Sequence, residues 1–200
     1  MKRFLATALA ATLLAACGGD DDEGTKAPTL TTASEINAYL AGKSWKMTGA
    51  DIPSHPNGFN ENTNFGAATQ CYNETVIATN SNWTVTSKLG TLNGAPTVGS
   101  TGTCDNATVA GSPLTFSSTA ILIENVTGNG ECFDVTATYA GFAQQGRAKF
   151  SADGKTLTME LFFAGQATGH RCASGAVGAA TVTLNAAAFT GNAQQVYRLQ

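Results

Sequence analysis

The chain has 200 residues, a formal net charge of −3 and only 12% charged residues, about half the usual share. Eleven Lys and Arg in the whole chain give nucleic acid no electrostatic footprint. Two histidines and no Cys-x-x-Cys pair leave no zinc-site pattern, so no metal or cofactor is expected.

Lys2 and Arg3 open the chain with positive charge, and an apolar run from Phe4 to Leu14 follows. That run is too short to span a bilayer and has the form of a signal peptide. Leu14-Ala15-Ala16-Cys17 closes it and resembles the lipobox of bacterial lipoproteins. The resemblance implies removal of residues 1–16, acylation of Cys17, and the membrane as a partner through that anchor. Each buried methylene contributes about 0.8 kcal/mol, and more than one acyl chain anchors stably. Gly18 and Gly19 stand where the inner-membrane retention signal of such proteins has Asp, which implies the outer membrane, facing periplasm or exterior. Residues 17–31 include Asp20-Asp21-Asp22-Glu23 and flanking glycines, a composition expected to form a solvated acidic tether. The remaining residues, 32–200, are expected to form one domain.

Thr32-Ala33-Ser34-Glu35 has the capping-box pattern that starts a helix. Ile36, Tyr39 and Leu40 follow at one-turn spacing, and Gly42 supplies a left-handed stop. The spacing predicts one short helix, a lid or plug on a β core.

From Lys43 the period is two. Large apolar residues alternate with Thr and Lys over 83–89. Phe133, Val135, Ala137 and Tyr139 alternate with Asp134, Thr136 and Thr138. Leu157, Met159, Leu161 and Phe163 alternate with Thr156, Thr158 and Glu160, leaving Phe162 facing outward. Such alternation predicts antiparallel strands with one buried face. Asp153-Gly154 predicts a hairpin, and Asn80-Ser81-Asn82, Asn93-Gly94 and Gly128-Asn129-Gly130 predict further turns. Strands are expected at 44–48, 72–78, 83–89, 107–109, 114–125, 132–140, 146–151, 156–163, 180–184 and 194–199. About eight to ten short strands form either a single antiparallel barrel or a two-sheet β-sandwich.

Cys71, Cys104, Cys132 and Cys172 remain after Cys17. In an oxidising compartment they are expected to form two disulfides. Three pairings exist; Cys71–Cys104 with Cys132–Cys172 closes moderate loops, each worth about 3–4 kcal/mol on the chain-entropy model.

Gly42-Lys43-Ser44-Trp45 after a short helix resembles the Gly-x-Trp start of lipocalin-type barrels, and Arg198 near the end stands where that family has a basic partner for the tryptophan. The resemblance implies that Trp45 plugs the barrel floor and Arg198 covers the indole by a cation–π contact. The cysteine spacing and the Asn-rich stretch 57–64 depart from the family pattern.

Candidate chemistry is sparse. His55 lies in a polar loop, 51–70, whose Asn, Glu and His side chains are potential ligands, or satisfy the loop's own backbone. His170 lies two residues before Cys172, an arrangement that activates a thiol only if no disulfide holds the sulfur. No Gly-x-Ser-x-Gly elbow appears. Asp134 and Glu160 fall on the polar faces of their strands, where an isolated acid is ordinarily solvated. The aromatic residues Phe116, Phe133, Tyr139, Phe150 and Phe163 either fill the core or line an apolar cavity. The expectation is a non-enzymatic envelope lipoprotein whose barrel binds a small apolar or amphipathic molecule, with Phe133, Tyr139 and Phe163 as ligand contacts. The alternative is a structural module, or one that docks an envelope protein through the 51–70 loop.

Overall fold

The computed structural model describes residues 27–51, 71–93, 103–184, 186–188 and 193–200. Its helix, α1 (Ala33–Leu40), begins on the expected capping box. Thr32 Oγ1 accepts from the Glu35 N–H at 3.2 Å, and Glu35 Oε2 accepts from the Thr32 N–H at 3.0 Å. These bonds satisfy backbone donors that the first helical turn leaves free. Gly42 ends the turn at φ 75°, and its N–H donates to Thr79 O at 2.7 Å. A Cβ there would touch nothing, so it is the positive φ that favours glycine.

The fold begins earlier than the capping box. Leu30 is fully buried, its N–H donates to Asn129 Oδ1 at 2.6 Å, and Asn129 Nδ2 donates to Pro28 O at 3.0 Å. The end of the expected tether is therefore docked, because a leucine there finds an apolar seat beside Gly130 and Phe150.

Eight antiparallel strands close into a barrel. They are β1 (Lys43–Thr48), β2 (Tyr72–Thr79), β3 (Trp83–Asn93), β5 (Leu114–Thr127), β6 (Cys132–Tyr139), β7 (Phe142–Phe150), β8 (Thr156–Phe163) and β12 (Gln195–Leu199). Each pairs with the next, and β12 returns to β1 through Trp45↔Leu199 and Lys46↔Arg198. Closure removes the free sheet edges that would otherwise invite pairing with another chain. Asn80-Ser81-Asn82 and Gly128-Asn129-Gly130 make the expected turns, and Asp153-Gly154 joins β7 to β8 with Asp153 Oδ1 accepting from the Lys155 N–H at 3.0 Å.

Two excursions leave this frame. The first is β4 (Thr103–Val109), which pairs with the far end of β3 and carries that hairpin away from the barrel. Gly90 sits where it departs; a Cβ there would lie 2.4 Å from Asp105 O and 2.7 Å from Cys71 Sγ, so only glycine fits. The second leaves after β8 and returns at β12, spanning 164–194; its described residues up to 184 fold back over the outer face of β6, β7 and β8. It holds a small sheet of β9 (Ala167–Thr168), β10 (Thr183–Leu184) and β11 (Ala187–Ala188). The strand expected at 180–184 is thus shorter and lies outside the barrel wall.

The two halves of the interior differ. Toward α1 the barrel is filled: Ile36 and Leu40 enter from the helix, and Trp45, Phe133, Phe150 and Leu157 pack beneath them. Phe133 stacks on Phe150 at 5.4 Å between centroids, and Phe150 meets Trp45 at 5.7 Å and Tyr39 at 5.6 Å. The helix is therefore a plug. No described helix is long and apolar enough to cross a membrane.

Candidate functional site

The opposite half is hollow. A cavity of about 330 Å³ opens away from α1, within the size range of small-molecule sites. An eight-stranded barrel is just wide enough either to be filled by side chains or to hold one small ligand. Here the large rings gathered at the plug fill one end and leave the other to smaller or rim-directed residues.

Aromatic rings form the rim. Phe142 stacks on Tyr139 at 4.7 Å and meets Phe116 and Phe163 edge-on at 5.6 and 5.7 Å. Phe116 and Phe163 remain 42% and 38% exposed, far more than core phenylalanines, so Phe116 is a rim residue. Farther in, Met47, Ile77 and Met159 line the wall. Polar groups are few: Tyr197 O–H donates to Gln195 Oε1 at 2.7 Å, and the Thr75 and Ser87 hydroxyls bond each other at 2.9 Å. Burial pushes the Tyr72 and Tyr139 hydroxyls up to about 12. It raises Tyr197 well above its ordinary value, with Tyr72 and Tyr139 adding to the effect.

Of the residues expected to contact a ligand, Tyr139 and Phe163 line the cavity and Phe133 does not. Phe133 is fully buried in the floor. Strand alternation puts all three inside the barrel; only the height along it separates them. Phe133→Ala is expected to cost about 3–5 kcal/mol of stability by leaving a void in the floor. Phe163→Ala should cost under about 1 kcal/mol, because half-exposed rim positions lose little burial. Urea unfolding of the two variants checks both, and equal losses would contradict this division.

Trp45 is the floor residue expected, fully buried, but Arg198 does not cover it. Arg198 pairs in register with Lys46, and facing residues on adjacent antiparallel strands share a side of the sheet. Both therefore point outward, where Arg198 forms an ion pair with Asp51. Tyr39 and Phe150 cover the indole instead, and the Tyr39 ring carries the Lys43 ammonium 4.2 Å from its centroid.

Asp134 and Glu160, expected to be solvated on the outer face, are buried. Asp134, Arg147 and Glu160 lie in one row across β6, β7 and β8. Asp134 is 3% exposed; Arg147 and Glu160 are fully buried beneath the 164–194 excursion. Arg147 Nε donates to Glu160 Oε2 at 2.7 Å, and its other nitrogens reach Gly175 O, Ala179 O and Thr181 Oγ1. Glu160 Oε2 also accepts from the Gly178 N–H at 3.0 Å, and Asp134 Oδ1 from the Cys172 N–H at 2.8 Å. These carboxylates and the guanidinium clamp the excursion to the barrel. Phe162 faces outward as expected, yet it too is buried there, against His170 at 6.0 Å.

Cys132 and Cys172 form the expected disulfide and pin the excursion to β6. Cys172 therefore offers no thiolate for His170 to activate. Burial, with Arg171 adding, holds the His170 imidazole below its ordinary range, against the pull of Asp134. Cys71 is also disulfide-bonded. Cys104 pairs with Leu92 in the β3–β4 ladder, but its side chain lies outside the described residues. Cys17, His55 and all of 52–70 lie outside them as well. Among the described residues no group of three His, Cys, Asp or Glu stands where a metal ion could be held.

Fold and cavity together define a closed antiparallel β-barrel, plugged by a helix at one end and open to an aromatic-rimmed hollow at the other. Comparisons with protein-family models, curated proteins and solved structures find no match to this chain.

Proposed function

We propose that this chain is the precursor of a lipid-anchored bacterial envelope protein that binds a small apolar or amphipathic molecule without transforming it. The cavity carries the binding half of the reading: its walls are largely apolar and aromatic, with a few tyrosine and glutamine groups to orient a polar substituent. The lipobox pattern ending at Cys17 carries the other half. Acylation there would hold the barrel at the outer membrane by way of the acidic stretch that follows.

Native mass spectrometry of the chain from Gly18 onward, exported to an oxidising periplasm, tests the binding half. A small organic adduct on the wild-type chain is expected, and Leu161→Trp, which fills the cavity from its wall, should lack it. An adduct of equal abundance on both chains would overturn the assignment to this cavity. Metabolic labelling of the full-length precursor with an alkyne fatty acid tests the anchor. Label should appear on the wild type and vanish in Cys17→Ser; an unlabelled wild type would remove that half.

A further inference from the structure

The cavity's lining is uniform in one respect. Among the described residues, no Lys, Arg, His, Asp or Glu lines it. Several charged residues of the surrounding strands face the other way and are held in ion pairs there. Glu74 is held on the outer face between Lys46 and Lys88, Arg198 by Asp51, and Arg147 by Glu160. The alternation of the strands enforces this split, since a residue that reaches a surface ion pair cannot also reach the interior.

We infer that the cavity takes an uncharged ligand, a compact apolar molecule carrying a hydroxyl, amine or carbonyl group of neutral form, and rejects anionic analogues of the same shape. This rests on the cavity being the binding site. The chemistry of the walls favours such a ligand at each point. Aromatic edges and faces at Tyr139, Phe142 and Phe163 suit a ring. Gln144 and Gln195 offer neutral amides, and Tyr72 and Tyr197 offer hydroxyls that keep their protons across the physiological range. An anion placed among them loses its hydration and gains no counter-charge.

The test uses two fluorescent probes with one ring skeleton, neutral N-phenyl-1-naphthylamine and anionic 8-anilino-1-naphthalenesulfonate. Each is titrated into the chain from Gly18 onward with its disulfides formed. The neutral probe is expected to bind and the sulfonate to bind on the order of a hundredfold more weakly, the cost of an unpaired charge in such a site. Gln144→Lys places a cation on the half-buried wall, where a lysine stem can lie with its ammonium toward the opening. It should raise sulfonate affinity at least about tenfold relative to that of the neutral probe. Equal binding of both probes to the wild type would overturn the charge selectivity and leave the cavity a binding site. A sulfonate still rejected by a folded Gln144→Lys chain would overturn it too, by showing that shape does the excluding. Failure of both probes would count against the binding reading itself.

Discussion

Arg147→Met is expected to lower the unfolding free energy by about 3–5 kcal/mol, visible as a lower urea midpoint with the slope retained. The cause is what the substitution leaves behind. Glu160 is fully buried, and its Oε1 already lacks a hydrogen-bond partner among the described residues. Without the guanidinium, its charge would sit beneath the excursion with only the Gly178 N–H for support. Replacing both partners, as Arg147→Met with Glu160→Leu, removes the stranded charge and should recover most of the loss, since a buried pair often does no better than apolar residues of similar volume. The excursion would still lose three contacts that Arg147 makes with Gly175, Ala179 and Thr181. Amide exchange over 175–181 should therefore quicken in the double variant even where global stability returns. A single variant as stable as the wild type would show that the clamp contributes nothing.

The second large effect is expected at the excursion's other fastening. Cys132 and Cys172 are 40 residues apart, and on the chain-entropy model their bond stabilises the fold by about 4 kcal/mol. Changing both to serine while leaving Cys71 in its own disulfide should cost about that much. It should also release the Cys172 N–H from Asp134, whose carboxylate would then lie buried with Asn125 as its remaining side-chain partner. Urea unfolding under non-reducing conditions measures the first effect and amide exchange at Cys172 the second. A loss below about 1 kcal/mol would mean that the polar clamp alone holds the excursion.

These two fastenings were not equally legible. The disulfide could be named from cysteine parity and loop length. The clamp could not, because nothing near Asp134 or Glu160 announces that a stretch arriving later in the chain will cover them. Each looked like the wet side of an amphipathic strand, and each does face away from the barrel interior. Arg147 carried no sequence signal at all: its neighbours Gly146 and Ala148 are small, and its register opposite two acids exists only once three strands have paired.

Local chemistry determined what is local. The capping box placed α1, Asp153-Gly154 placed the β7–β8 turn, and period-two alternation placed β8 at Thr156–Phe163 and sorted its side chains into inner and outer sets. Those signals act within a few residues, so a sequence carries them whole. Tertiary structure alone decided the rest. The β1–β12 register set Arg198 beside Lys46, one position away from the inward row that holds Trp45. The height of each inward ring along the barrel separated Phe133 in the floor from Tyr139 and Phe163 at the hollow. Whether an eight-stranded barrel is filled or empty depends on the summed volume of side chains from all its strands at one level, and no single strand contains that sum.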